Sequence, residues 1–450
     1  MRMEKNMRSV VGLVLAISLA VSSCRDSGPE KASPDLSEAY LPEMEGLFNY
    51  LQRSHARGSY TSMADSLNLA NKDLQASEIY VEAAKAYWTA GQLDSAISML
   101  HRAVDQGMSN PRILEKLPPS DHAPEGAAWD WLIERLDSIG VRLHQPNHFE
   151  LRFEAMSAFW PFFEKAMVDT SQARTYLKEF ILTGPPEVRD FYVVRYGSID
   201  QMYGQMINGA PGYYKYLQGQ FNSDSLSLMK ATIVGSMKRF KTVYPQAVFP
   251  KVYIVPGILN SGGTATEMGM FLGGDMYGRS AEMPTEELTD WQRGAIMNFS
   301  DLPRLTLHEL MHFQQHYRDT VHSETLLSAV IHEGVCDFMV ELCTGEVLQN
   351  ENLKFLAEPD NQAWIFRELG NELMGNDTYN WLYNGGSIED RPADLGYTVG
   401  YLICKSYYQG HQDKQEAVFQ LLNTENFVDI LQQSEYSYLL ENASQSSLTP

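Results

Sequence analysis

Apolar positions along the chain change period several times, and each change predicts an element. From Ala76 to Gly107 small and aromatic residues recur at helical spacing on both sides of Ala90-Gly91-Gln92, which predicts a helix, a turn and a second helix. From His148 onward Phe153, Met156, Phe159, Trp160, Phe163 and Met167 keep the helical period until Pro185-Pro186 breaks the chain. The short apolar runs Val252-Tyr253-Ile254-Val255 and Met268-Gly269-Met270-Phe271-Leu272 read as strands joined by Gly/Thr-rich sequence. Residues 304–317, RLTLHELMHFQQHY, follow an N-cap candidate in Ser300-Asp301 and a proline, Pro303, tolerated in a first turn, so they predict a helix. A second, buried helix is predicted at 326–342, LLSAVIHEGVCDFMVEL, by Leu326, Leu327, Val330, Ile331, Phe338 and Leu342. The expected fold class is α+β: a helical domain at 40–140, then a mostly helical domain at 148–450 with a small β-sheet. At 450 residues, two folded domains are expected rather than one core.

The N-terminus has a different pattern. Arg2, Lys5 and Arg8 precede an apolar stretch from Val10 to Val21, followed by small residues up to Cys24. That order predicts a secretory signal peptide at 1–23, too short to span a bilayer with the usual 20 or so apolar residues. Val21-Ser22-Ser23-Cys24 resembles the bacterial lipobox, which implies that Cys24 is the lipidated first residue of the mature chain. Residues 24–39, rich in Ser, Pro, Glu and Asp, then read as a tether, and the chain as a cell-envelope lipoprotein, periplasmic or outer-membrane associated, held to the membrane by its lipid. Three later cysteines, Cys336, Cys343 and Cys404, an odd number without close pairs, do not read as a disulfide framework, and Cys336 and Cys343, seven apart in an apolar helical segment, read as buried free thiols. A net charge of -22, without a Lys/Arg-rich run in the mature region, argues against nucleic acid as a partner.

The chemistry concentrates in the two predicted helices. His308 and His312 are four apart, so both imidazoles leave one helix face and reach one metal ion, while Glu309 beside them is placed to take a proton from a water. Zinc suits such ligands and lowers the pKa of its water to about 7, which points to hydrolysis with Glu309 as general base. A third ligand is needed. A metzincin arrangement would require glycine at 315 and histidine at 318, where the chain has Gln315 and Arg318. His316 lies eight helical residues from His308, about 12 Å, too far to share an ion. The second helix remains, and it contains Glu333; the neighbouring His332 points about 100° away and reads as a core or pocket-floor histidine.

At this point the sequence resembles the gluzincins, the thermolysin-like clan of zinc metallopeptidases. Their third ligand is a glutamate about twenty residues after the second histidine, and Glu333 follows His312 by 21 positions. The resemblance implies a zincin-like catalytic domain, Glu333 as ligand, and Asp337, four residues on, as the carboxylate that orients His308. Asn260-Ser261-Gly262-Gly263-Thr264 with Gly269-Met270-Phe271-Leu272-Gly273, and Gly396-Tyr397-Thr398-Val399-Gly400-Tyr401, are similar to a family of predicted zinc-dependent proteases among bacterial envelope proteins. By that analogy Gly262, Gly263 and Thr264 bind an extended peptide and Tyr397 or Tyr401 donates to the oxyanion. The lack of a Gly-Ala-Met-Glu-Asn exopeptidase motif favours an endopeptidase acting on peptide or protein substrates. The helical pair at 76–107 resembles a tetratricopeptide unit through Ala84, Tyr87, Ala96, Leu100 and Ala103, which implies docking of a protein partner or spacing. The rival reading is a non-catalytic envelope lipoprotein that binds a partner or a glycan and uses its metal only structurally.

Overall fold

Small side chains set the packing of the first hundred residues. α1 (Met44–Ala56), α2 (Tyr60–Ala70), α3 (Ser77–Thr89) and α4 (Leu93–Asp105) stack in succession. Ala83, Ala84 and Ala86 of α3 and Ala96 and Ala103 of α4 are buried, which lets neighbouring helices approach closely. The turn between α3 and α4 needs a left-handed residue and finds it in Gly91, φ +73°. α5 (Ala127–Leu143) closes this part. In this computed structural model the described residues are 36, 38–119, 124–221, 223–384 and 388–440; the expected signal peptide, Cys24, and residues 25–35 and 37 of the expected tether lie outside them.

The rest is mostly helical. α6 (Glu154–Val168), α7 (Ala173–Thr183), α8 (Pro186–Phe191), α9 (Ile199–Met202), α10 (Pro211–Leu217) and α11 (Ser223–Val243) surround a small sheet, with π-helical turns at Tyr192–Tyr196 and Tyr203–Gly209. After the sheet come α12 (Asp290–Ala295), α13 (Leu302–His312), α14 (Leu326–Thr344), α15 (Glu351–Leu356), α16 (Pro359–Glu372), α17 (Leu395–Gly410), α18 (Lys414–Asn423) and α19 (Phe427–Gln432). The sheet has β1 (Leu151–Arg152), β2 (Val252–Val255), β3 (Gly263–Ala265) and β4 (Met270–Gly273) in the order β1-β2-β4-β3. The first three in that order run parallel, and β3 pairs antiparallel with β4 on the outer edge. The α+β class expected from the sequence is the one observed. Residues from Tyr40 on form one compact unit, and a single apolar core takes in residues from both expected parts. Among the described residues no helix is long and apolar enough to cross a membrane.

Two glycines fix the centre of the second part. α14 is apolar on nearly every side, as befits a helix packed against α11, α13 and α17. It meets α17 where Gly334 faces Gly400: a Cβ on Gly334 would overlap the Gly400–Tyr401 backbone, and one on Gly400 the carbonyl of Val330. Cys336, Cys343 and Cys404 are buried free thiols.

Candidate active site

α13 and α14 carry the motif residues into one buried pocket. Pro303 sits in the first turn of α13, and Asp301 holds the N-cap position, although its side chain makes no cap hydrogen bond. The helix ends at His312, five residues before the expected end, because the following backbone bonds elsewhere: the His316 N–H donates to the Leu422 carbonyl at 2.8 Å. His316 therefore leaves the helix altogether, rather than continuing its face. α14 starts at a Thr325 cap, whose Oγ1 accepts from the Ser328 N–H at 3.2 Å.

Across the pair, Glu333 Oε2 lies 3.4 Å from His308 Nε2 and 3.4 Å from His312 Nε2. Zinc with N and O bonds of 2.0–2.2 Å in tetrahedral geometry separates adjacent donor atoms by about 3.3–3.5 Å. The three donors thus have the chemistry and the carboxylate-to-imidazole spacing of one zinc site. The opposite ring nitrogens are held from behind. His308 Nδ1 is 3.2 Å from Asp337 Oδ1, which also accepts from Arg304 Nη2 at 2.9 Å. His312 Nδ1 is 3.0 Å from Gln315 Oε1, whose amide nitrogen donates to the His332 carbonyl at 2.6 Å.

The electrostatics suit a cation. Burial opposes charge on His308, but Asp337 and Glu333 more than offset it and push the imidazole up to about 10. Burial likewise opposes charge on His312, and Cys336 and Glu333 reverse the direction. The Cys336 thiol is itself pushed up to about 12 by burial, so at neutral pH Glu333 is the charge that attracts His312. Burial would raise Glu333, yet the imidazoles around it hold it well below the usual carboxylate range. Asp337→Asn should loosen His308 without removing a ligand, lowering zinc affinity or turnover about 10- to 100-fold, as read by chelator competition and peptide hydrolysis.

Among the described residues, two groupings have all their donor atoms within 4.8 Å of one another: His308, His312 and Cys336, and His312, His332 and Glu333. Cys336 Sγ is nearer Nδ1 of His312 (3.4 Å) than Nε2 (3.8 Å), so it packs behind the ring, away from the Glu333 side. His332 stacks on His312 with ring centroids 4.8 Å apart, and its Nδ1 is 3.9 Å from Glu333 Oε1. Its side chain is 42% exposed, which makes it a rim residue and corrects the core or pocket-floor placement expected for it.

The edge strand reaches the same place. A Cβ on Gly263 would stand 2.8 Å from the Glu309 carboxyl carbon, so a side chain there would push the Glu309 carboxylate out of its position. The Gly262 carbonyl accepts from the Tyr277 hydroxyl at 3.0 Å, and Thr264 Oγ1 accepts from Arg195 Nε at 2.5 Å. Of the two late tyrosines, Tyr397 has its ring 6.1 Å from that of His308. Tyr401 is one turn farther along α17 and donates to the Glu341 carboxylate while accepting from Lys405, so the structure does not bring its hydroxyl to the histidines. A residue unmarked by the sequence takes a place instead: the Tyr383 hydroxyl donates to Glu333 Oε1 at 2.7 Å. Tyr383 has φ +58°, a left-handed conformation unusual for an aromatic residue, and its backbone neighbour Asn384 is tied to Asp394 at the start of α17.

A family model described as a predicted Zn-dependent protease (DUF2268) matches residues 292–429, the span that contains α13, α14 and α17. No curated protein and no solved structure matches the chain. At the level of activity class, the family match supports a zinc-dependent protease, and the buried histidine and cysteine donors could hold a metal ion.

Proposed function

We propose that the chain is a gluzincin-type metallopeptidase in which His308, His312 and Glu333 hold zinc and Glu309 is the general base. The observation that carries this reading is the single carboxylate oxygen of Glu333 equidistant from two imidazole Nε2 atoms, one helical turn from each other, with Glu309 between them in sequence. Zinc would supply Lewis acidity there, acidifying a water and polarising a carbonyl. Glu309 takes the proton of the attacking water and returns it to the leaving nitrogen. Asp337 and Gln315 hold the imidazoles by their far nitrogens, and Tyr383 holds the second oxygen of Glu333. Tyr397 is the remaining candidate to donate to the oxyanion, since the hydroxyl of Tyr401 is already engaged.

Substrate lies along β3 as an added strand, its backbone pairing with an edge that β4 leaves open. An open edge accepts the interior of a chain, which favours an endopeptidase. The test is metal content and cleavage of a mixed peptide library by the purified soluble protein. About one zinc per chain and hydrolysis abolished by a chelator are expected; zinc without hydrolysis of any peptide would favour the non-catalytic lipoprotein. For location, we propose a lipid anchor at Cys24, so Cys24→Ser should move the protein from the membrane fraction to the soluble one on fractionation, with unchanged membrane association counting against the anchor.

A further inference from the structure

The open edge of β3 continues past the histidines. Thr266 and Gly269 exchange both backbone hydrogen bonds at the turn, 2.8 and 3.3 Å, and Met270 gives its N–H to Lys251 on the opposite side at 2.9 Å. Bonded and non-bonded pairs alternate in an antiparallel ladder, so Ala265, opposite Met270, turns its N–H and C=O outward. From Gly263 at Glu309 to Ala265 and Thr266 is two to three residues, about 7–10 Å of extended chain. A cleft of about 570 Å³ opens there, lined by Ala265, Thr266 and His312 together with Arg112 and Lys116, and by the carboxylates of Glu78, Glu115 and Glu267.

The second wall is contributed by the residues after α4, and it is fastened to the hairpin. The Ser109 N–H donates to the Glu267 carbonyl at 2.8 Å, Ser109 Oγ to the Met268 carbonyl at 2.5 Å, and Lys116 Nζ to the Glu267 carboxylate at 2.5 Å. Lys116 is thereby committed to a carboxylate that is only 8% exposed. Arg112 is not held in that way. Its guanidinium meets Glu115 Oε2 through Nη2 at 2.6 Å and through Nε at 2.8 Å, but the two side chains are 51% and 59% exposed, and such a pair is worth little in water and readily exchanged. Its Nη1 is 3.0 Å from His316 Nδ1, which keeps the guanidinium at the cleft.

We infer that Arg112 is the recognition group of a substrate subsite two to three residues from the scissile bond, and that it takes a carboxylate. The inference rests on the peptidase reading. The carboxylate belongs either to an Asp or Glu side chain of the extended peptide or to its free C-terminus. The segment after α4 is then part of the substrate cleft, and Arg112 is a specificity-determining residue.

The test is a positional peptide library in two arms, one amidated at the C-terminus with Glu, Ala or Lys at each position, one ending in a free acid at different distances from the scissile bond. For the wild-type chain kcat/KM should be higher for Glu than for Lys at one position two or three residues away, by about 10-fold or more, the scale of one charge-assisted hydrogen bond. Arg112→Glu should invert that preference and Arg112→Ala should flatten it, mainly through KM, with zinc content and circular dichroism confirming folded protein. A preference only in the free-acid arm assigns the terminal carboxylate, and one in the amidated arm assigns the side chain. A wild-type profile indifferent to charge there, or one that Arg112→Glu leaves intact, overturns the subsite alone. A wild-type protein that cleaves no peptide overturns the peptidase reading and the subsite with it.

Discussion

Glu309→Gln should retain about one zinc per chain while lowering peptide turnover by a factor on the order of a thousand or more. The amide has the shape of the carboxylate, which matters because the Gly263 backbone leaves no room for a larger group at that point. It cannot accept the water's proton, so both proton transfers lose their carrier. The donors His308, His312 and Glu333 are untouched, and the Asp337 and Gln315 contacts that orient the imidazoles do not involve Glu309. Metal analysis together with single-turnover hydrolysis separates the two effects. Equal turnover in the variant would remove Glu309 from the chemistry, and loss of zinc would reassign it to the ligand set.

The second large effect belongs to Glu333→Ala, which should cost most of the zinc. One oxygen of Glu333 stands within 3.4 Å of both Nε2 atoms, so its removal leaves two imidazoles and an open side facing the cleft. Cys336→Ser, His332→Ala and His316→Ala should each keep about one zinc per chain, because their donors lie behind His312, on its stacked face, or out beside Arg112. Equilibrium dialysis against a zinc buffer ranks the four. A ranking with Cys336 indispensable and Glu333 dispensable would sink the gluzincin assignment and point to the grouping of His308, His312 and Cys336, while His332 and Glu333 both indispensable would point to the grouping they form with His312.

What could be read from the sequence follows the range of each signal. The spacing of His308, Glu309 and His312 is local, and helical geometry alone converts it to one face. The β2 and β4 runs were legible because both are buried throughout, so their apolar residues are continuous. β1 is only two residues long and gives no period to detect. The end of α13 was misjudged because apolar spacing continues through Phe313 while the backbone turns to bond Leu422, more than a hundred residues away. Tyr383 was invisible for a related reason: it is in a non-periodic segment fifty positions from Glu333, and its left-handed backbone has no marker such as glycine. Tyr401 shares a motif with Tyr397, and only the presence of Glu341 and Lys405 around its hydroxyl distinguishes them.

The crossing of Gly334 and Gly400 bears on how the protein lives with its metal. Glu333 is the residue next to that backbone-to-backbone contact, which is made by the packing of α14 on α17. In small zinc domains, by contrast, metal capture and folding are one event, and chelation unfolds the chain. On the proposed reading Glu333 sits beside ordinary apolar packing, so chelation is expected to remove zinc without unfolding the chain, as thermal denaturation with and without chelator would show. Bound zinc then adds stability only by mass action, about 2.7 kcal/mol at a hundredfold excess over Kd. If the proposed function holds, the supply of zinc in the surroundings would act as a reversible throttle on activity, working on a standing population of folded chain rather than on its synthesis or survival.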